Sequence, residues 1–393
     1  MDVRELKDEV CADVDRRAGQ LLDISHDIHA HPEENFEEHH AHDLLAGALE
    51  QAGLRTTRGA YGLDTAFDAR TGDSGPTVAV MLEYDALPGL GHACGHNIIA
   101  AAGLGASLAA ATVADRLGGS LRVLGTPAEE GGGGKVLMTA AGALDGVDAA
   151  LMVHPADHDL RQMTTIAIQR LRVTYTGEAA HAAAFPWNGR NALDAAVLGY
   201  NAVAALRQHI RPDERIHGVF TDGGDKPNIV PARASMLWYV RSGTLDRLQP
   251  LKSRVLDALR SGALATGCEV SHEWLEPAYA ELRSNALLED LYAANSAHLG
   301  RLLLDPEEGL QVCGSTDMGN VSQEVPSIHP MIAVAPEGVS IHTPDFARYA
   351  AGPEGDAAVL DGAKALAMTV VDLWARPGIL TDEASSGPDD GPR

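Results

Sequence analysis

Thr77-Val78-Ala79-Val80-Met81-Leu82, followed at once by Glu83-Tyr84-Asp85, is the stretch from which the fold can be read. An apolar run of strand length without polar alternation suits a strand covered on both faces, as in a parallel sheet. The pattern recurs at Ser120-Leu121-Arg122-Val123-Leu124, which runs into Pro127-Ala128-Glu129-Glu130, and at Ala149-Ala150-Leu151-Met152-Val153, which stops at His154-Pro155. Between the runs lie an alanine-rich helical stretch from Ile98 to Ala114, which Asn97 can cap, and a second from Lys135 to Ala143. The order is βαβαβ, which implies a mostly parallel sheet with right-handed crossovers and helices on both faces. In such sheets ligands sit beyond the carboxyl ends of the strands, where all three polar clusters fall.

Outward from this core, residues 3 to 55 read as helical scaffold, with Asp43-Leu44-Leu45-Ala46-Gly47-Ala48-Leu49 at helical spacing before Gly53. From Ile166 the character changes to alternating, β-branched runs: 166–175, 215–222 and 233–241, with helices near 192–208 and 244–263. This βαββα-like unit predicts an inserted α+β domain at 167–281, splitting a catalytic domain of 1–166 and 282–380. Helical Leu282 to Leu304 and a strand at Met331 to Ala335 return to the first domain. The Gly-, Pro- and Asp-rich end, 381–393, predicts a disordered tail.

The 393 residues can bury a large core, and 45% hydrophobic with 22% charged residues is a globular composition. Lys plus Arg number 30 against 55 Asp plus Glu, a net charge of -25 that repels nucleic acid and anionic membrane surfaces. Four cysteines without short paired spacing argue against a disulfide scaffold. The charged N-terminal residues and the absence of an 18-residue apolar run lead us to expect a cytoplasmic protein. The 17 histidines stand against only 5 phenylalanines, so some must do chemical work. His39, His40 and His42 read as a solvated helix face.

Gly89-Leu90-Gly91 follows a strand, but no GxGxxG follows the strand directly and no acidic residue stands about 20 positions on, so a nicotinamide-binding dehydrogenase is set aside. Cys94 and His96, two apart, suit a borderline-soft ion such as zinc better than a nucleophile–base pair. Taken alone, Cys-x-His is weak evidence, and a buried structural cysteine beside a satisfied histidine is the better reading. Glu129 and Glu130 shift the balance, because adjacent carboxylates at the end of a buried strand repel unless a cation or shared proton offsets them. Pro127 before them and Gly131 to Gly134 after them mark irregular backbone that can turn both into one site. With His154 and His342, there are five donors at strand ends (Cys94, His96, Glu130, His154, His342), enough for two metal ions, with Glu129 left as a base.

Several dispersed segments carry a family resemblance: 83–88 with 91–97, 125–131, 152–155, 177–183, 185–187 with 191–194, 227–231 and Gly314-Ser315-Thr316-Asp317-Met318-Gly319. The chain, from about residue 20 to 378, resembles the dinuclear metallohydrolases that include aminoacylase, carboxypeptidase G and indole-acetyl-amino-acid hydrolase. It is most similar to their p-aminobenzoyl-glutamate hydrolase and β-alanyl-dipeptidase-like branch. The resemblance implies a zinc-peptidase-like catalytic domain with a ferredoxin-like lid and dimerisation domain, and two divalent ions, zinc or manganese, per subunit. It also implies hydrolysis of an amide bond in an N-acyl or N-aroyl amino acid or a dipeptide with a free carboxylate. By position, Cys94 would bridge the ions, His96, Glu130, His154 and His342 would complete the ligands, and Glu129 would be the general base. His181 would stabilise the oxyanion in the other subunit of a homodimer, and Asn228 and Arg241 would hold the substrate carboxylate. A metal-retaining scaffold without catalysis, and a natural-product deacylase on the same fold, are the alternatives. The sequence departs from the family in two places: Glu83-Tyr84-Asp85 replaces the usual His-x-Asp, which bears on metal number and identity, and Asn97 stands where many relatives have aspartate.

Overall fold

The computed structural model describes residues 2–305 and 313–380, so the expected tail at 381–393 lies outside the described residues. The chain divides into two compact units, one of residues up to Thr164 joined by Leu282 onward, the other Thr165–Glu281.

In the first unit, strands Thr77–Leu82, Ser120–Gly125 and Ala149–Leu151 are parallel neighbours, and Ser327–Ile328 extends the same sheet in parallel beside Ala149–Leu151. The predicted βαβαβ core is present. Residues 78–82 are all buried, as an apolar run without alternation requires. The helix His96–Ala111 is buried from His96 to Ala110, a helix apolar all round and therefore central. Its glycines allow close packing: a Cβ at Gly103 would sit 2.8 Å from the Leu82 side chain, and one at Gly105 would sit 2.7 Å from Leu21. Long helices Val3–Ala30 and Pro353–Ala375 pack against it. Asn97 does not cap this helix. The N-cap is Gly95 in the left-handed region, and the Asn97 amide is buried, donating to Ser25 Oγ (2.9 Å) and the Ala350 carbonyl (3.0 Å).

Two further strands, Arg55–Arg58 at the edge and Phe67–Thr71 inside it, join the sheet antiparallel, where the sequence reading had none. The helix expected over 282–304 is confined to Ala286–His298. Of the three histidines read as solvated, His42 is buried, its ring 5.9 Å from Phe67, and burial pushes its pKa down.

The second unit runs βαββαβ: strands Ala167–Thr176, Arg215–Asp222, Arg233–Ser242 and Glu269–Tyr279, with helices Ala192–Leu206 and Leu245–Thr266. The sheet order places 269–279 and 215–222 at the edges, with 167–176 and 233–242 between. Alternation decides the faces: Leu171, Val173, Tyr175, Met236, Trp238 and Val240 are buried and form one core with the helices. The helices start where Asn191 and Thr244 side chains accept backbone N–H groups of the first turn. Glu269–Tyr279 was not foreseen, since as an edge strand it is mostly exposed or half-buried and alternates weakly.

Candidate metal centre

The carboxyl ends of the three core strands, all in the first unit, converge on one group of side chains. After Leu82 come Glu83 and Asp85, both buried. The loop then delivers Cys94 and His96 through Gly95, at φ 77, where a Cβ would lie 2.8 Å from Pro155. After Gly125 the chain makes the irregular turn that the glycines implied. Ala128 adopts φ 60, a conformation that non-glycine residues hold only when their surroundings impose it. Its N–H donates to Glu38 Oε1 (2.9 Å), which also accepts from Phe36 N–H (3.0 Å), while Thr65 Oγ1 donates to Oε2 (2.8 Å). Burial, followed by the charge of Asp85, pushes the Glu38 carboxyl up to about 7. Gly134 closes the turn, and a Cβ there would meet the Pro127 carbonyl oxygen at 1.9 Å. Glu129 and Glu130 thereby enter one site instead of opposite faces.

Two trios of donors share one atom. The ligating atoms of Cys94, His96 and His154 lie within 4.8 Å of one another, as do those of Cys94, Glu130 and His342. Cys94 Sγ is 3.5 Å from His154 Nε2, and His342 Nε2 is 3.2 Å from Glu130 Oε1. Outer contacts orient the imidazoles: His96 Nδ1 meets Asp85 Oδ1 at 2.9 Å, and His154 Nδ1 meets the Pro155 carbonyl at 2.8 Å, which leaves each Nε2 facing the cluster. Asp85 Oδ2 accepts the Glu130 N–H (2.9 Å), tying the first strand end to the second.

Buried polar atoms normally have partners. Here His96 Nε2 and Glu83 Oε2 are buried without a hydrogen-bond partner among the described residues, and Glu130 Oε1 meets only the His342 ring. Unsatisfied atoms on an imidazole and on carboxylates, gathered with the Cys94 thiol and the His154 imidazole in one buried place, fit divalent cations.

Electrostatics agree. Burial, with Glu83, Glu130 and Asp317 nearby, pushes the Glu129 carboxyl well up. For Glu130 burial is outweighed by the approach of His342 and the positive charge at His96, and the carboxyl sits below its usual range. Burial raises the Cys94 thiol and lowers His154 to about 4. For His96 burial is outweighed by Asp85 and Cys94, which raise it. A dense cluster of mutually perturbed groups in one buried place marks a functional site.

Three members of this neighbourhood, Lys135, Asp317 and His329, were not among the expected site residues. Lys135, 1% exposed, pairs with Glu83 Oε1 and with Asp317 Oδ1 (2.8 Å), and its own N–H donates to Asp317 Oδ2 (2.9 Å). Burial would discharge the ammonium, but Asp317, Glu83 and Glu129 outweigh it and keep the charge. Ligating atoms of Glu83, Glu129 and Asp317 lie within 4.8 Å. His329, also buried, packs with its ring tilted against His154, centroids 5.2 Å apart. One clue to it was available: His329-Pro330 repeats the His154-Pro155 pair at the end of an adjacent parallel strand.

The remaining expected site residues belong to the second unit. His181 is exposed, and its Nδ1 accepts from the N–H groups of Ala183 (3.3 Å) and Ala184 (3.1 Å), so the neutral ring carries its proton on Nε2. Asn228, exposed, lies beside it through the bond from Ala182 N–H to the Asn228 carbonyl (3.1 Å). Arg241 is half-buried on the inner strand 233–242, its guanidinium 5.4 Å over the Tyr239 ring.

Comparison with known proteins fits this site. Residues 76–371 match the model of peptidase family M20/M25/M40. The chain is similar to the Xaa-Arg dipeptidase of Mus musculus, 38% identical over 95% of this chain and 90% of that protein. It is also similar to one of the two polypeptides of the p-aminobenzoyl-glutamate hydrolase of Escherichia coli K12, 35% identical over 78% of this chain and 67% of that protein. Its fold matches that of the Bacillus subtilis YXEP protein, a dinuclear metal-binding peptidase, with a TM-score of 0.69 and 19% identity over 91% of this chain and 99% of that one. The chain therefore belongs to peptidase family M20/M25/M40 and is a metal-dependent amidohydrolase of that family.

Proposed function

We propose that this protein hydrolyses the amide bond of a dipeptide or an N-acyl or N-aroyl amino acid with a free carboxylate, using two divalent ions, zinc or manganese. The observation that carries this reading is the pair of donor trios sharing Cys94, with Glu129 alongside. Cys94, His96 and His154 would hold one ion and Cys94, Glu130 and His342 the other. When bound, such ions make water more acidic and an amide carbonyl more electrophilic. Glu129 takes the proton of the attacking water and delivers it to the leaving nitrogen, a role suited to a carboxyl whose pKa the site raises. His181, with Nε2–H fixed outward by its two backbone donors, would stabilise the carbonyl oxygen as negative charge develops there. Asn228 and Arg241 would grip the substrate carboxylate, Arg241 supplying a fork of donors.

A homodimer with His181 acting on the other copy's site is part of this proposal. Its support lies in strand Arg215–Asp222, paired on one side only, with Val219 60% and Phe220 42% exposed. Strand 233–242, by contrast, is paired on both sides and offers no edge. Unpaired Cys11, Cys94 and Cys268 suit a reducing compartment, the cytoplasm. Among the described residues no helix is long and apolar enough to cross a membrane.

A panel of amides assayed by amine release tests the reading: dipeptides ending in arginine or other residues, β-alanyl dipeptides and p-aminobenzoyl-glutamate. Dipeptides are expected to lead, given the extent of the match to the Xaa-Arg dipeptidase. Glu129→Gln should retain metal and lose turnover by about 100-fold or more. Metal bound with no amide cleaved across the panel would instead indicate a scaffold.

A further inference from the structure

We infer that Glu83 is an additional metal ligand, through Oε2, to the ion held by Cys94, His96 and His154. This rests on the dinuclear reading above and adds to it an inequality between the two ions.

Glu83 is completely buried at the end of the strand Thr77–Leu82. One of its oxygens is tied to the Lys135 ammonium, which Asp317 holds from the other side. The carboxylate is thus fixed in orientation by a buried cation, and its second oxygen, Oε2, has no hydrogen-bond partner among the described residues. That oxygen lies 3.5 Å from His96 Nε2, which has none either. Asp85 engages the opposite ring nitrogen of His96, so Nε2 presents its lone pair when the imidazole is neutral. Facing each other in a buried space, a carboxylate oxygen and an imidazole nitrogen need a proton or a metal cation between them, and with the imidazole neutral the pair suits a metal cation. Charge points the same way. The ligating atoms of Glu83, Glu129 and Asp317 lie within 4.8 Å of one another beside the Lys135 ammonium, a crowding of carboxyls that a divalent cation relieves.

With Glu83 included, the ion at His96 and His154 has four protein donors, a thiolate, two imidazoles and a carboxylate, whereas the ion at Glu130 and His342 has three. Four protein ligands characterise closed, structural zinc sites; three with an open position characterise catalytic ones. The Glu130 and His342 side is also the wetter one, the His342 side chain being 47% exposed against 0% for Glu83 and His96. The first ion is therefore the tightly held, structural one. The second is the exchangeable one, where water and substrate enter.

The experiment is a metal titration. In the unaltered protein, dialysis against graded chelator followed by elemental analysis should remove zinc in two separated steps. Glu83→Gln keeps the shape and leaves Lys135 and Asp317 as a one-to-one pair, so the fold is retained. Its tighter step should weaken by about 100-fold, the upper end of the range for losing a group that shapes a metal site. The looser step should stay in place. A cobalt-loaded sample, read by its thiolate charge-transfer band, should show the same shift independently of turnover. Unchanged binding in Glu83→Gln, alongside loss of both ions in Cys94→Ser, would overturn the inference and leave the dinuclear reading intact. Absence of any tight ion in the unaltered protein would sink both. A zinc-loaded crystal decides without any variant: Glu83 Oε2 is expected about 2.0–2.2 Å from the metal, and a separation beyond about 3 Å refutes the assignment.

Discussion

Replacing Lys135 by methionine tests how far the buried charges beneath the metal centre depend on one another. The ammonium is 1% exposed and its two anions, Glu83 and Asp317, are 0% exposed, so no water replaces it when it is removed. Removing one partner of a buried ion pair destabilises by about 3–5 kcal/mol, because the charge left behind stays desolvated and unpaired. For domains of this size class that corresponds to a fall in Tm of about 6–20 °C. The loss should depend on pH in a set direction. Burial already holds the Asp317 carboxyl up, at about 6, against about 3.9 in an unfolded chain. A carboxyl raised on folding contributes stability below its unfolded pKa and loses it as pH rises through the folded value. Without the ammonium that folded value climbs further, so Lys135→Met should be most destabilised above pH 7 and recover towards pH 5. Urea unfolding at several pH values, followed by circular dichroism, measures this. Adding Glu83→Gln and Asp317→Asn should restore most of the stability by removing the stranded charges. A loss below about 1 kcal/mol, or a triple variant no better than Lys135→Met, would refute the reasoning.

Cys94→Ser should strip both ions, since both donor trios include that sulfur, and elemental analysis of the purified protein should find little of either. Glu38→Ala strands two buried donors, the Ala128 N–H and the Thr65 hydroxyl, at about 1–3 kcal/mol each, and frees the half-buried Phe36 N–H, and should depress kcat by letting the Glu129 turn relax. Glu38→Gln keeps an acceptor and should be mild. Because the Glu38 carboxyl is raised to about 7 on folding, its contribution is full below about pH 4 and lost as pH rises through 7, so the wild type should lose stability against Glu38→Gln over that window. Arg241→Ala should raise KM for carboxylate-bearing amides with less effect on their carboxamide analogues; an equal effect on both would remove Arg241 from carboxylate recognition.

Much of the first unit was legible because its core strands are apolar without alternation, and that pattern has few meanings. The antiparallel pair 55–58 and 67–71 was not, since Arg55-Thr56-Thr57-Arg58 is polar and largely exposed and draws its place from the neighbouring strand. Within the site, Cys94, His96, Glu129, Glu130, His154 and His342 stand at the ends of readable strands or in short motifs. Lys135 is different: it lies inside a short helix, and what makes it notable, Glu83 52 positions before it and Asp317 182 positions after it, exists only once the chain has folded. Glu38 likewise carries no local mark of the strained Ala128, 90 residues away, that it holds in place. Asn97 was misread because a polar residue at a helix start suits a cap equally well as a buried anchor.

The insertion of Thr165–Glu281 into the first unit has a consequence for synthesis. When a ribosome has delivered the chain to Thr164, the sheet ends at Ala149–Leu151, whose neighbour Ser327–Ile328 has yet to be translated. At about 5–20 residues per second, the inserted unit alone occupies roughly 6–25 s. Throughout that interval a parallel edge stands open, Lys135 lacks Asp317, and neither His329 nor His342 exists. The second unit, continuous in sequence, can fold in the meantime. The first must wait as an unfinished half, exposed to partners that bind open edges, and nascent chains stalled between 165 and 281 are where chaperone capture should be strongest.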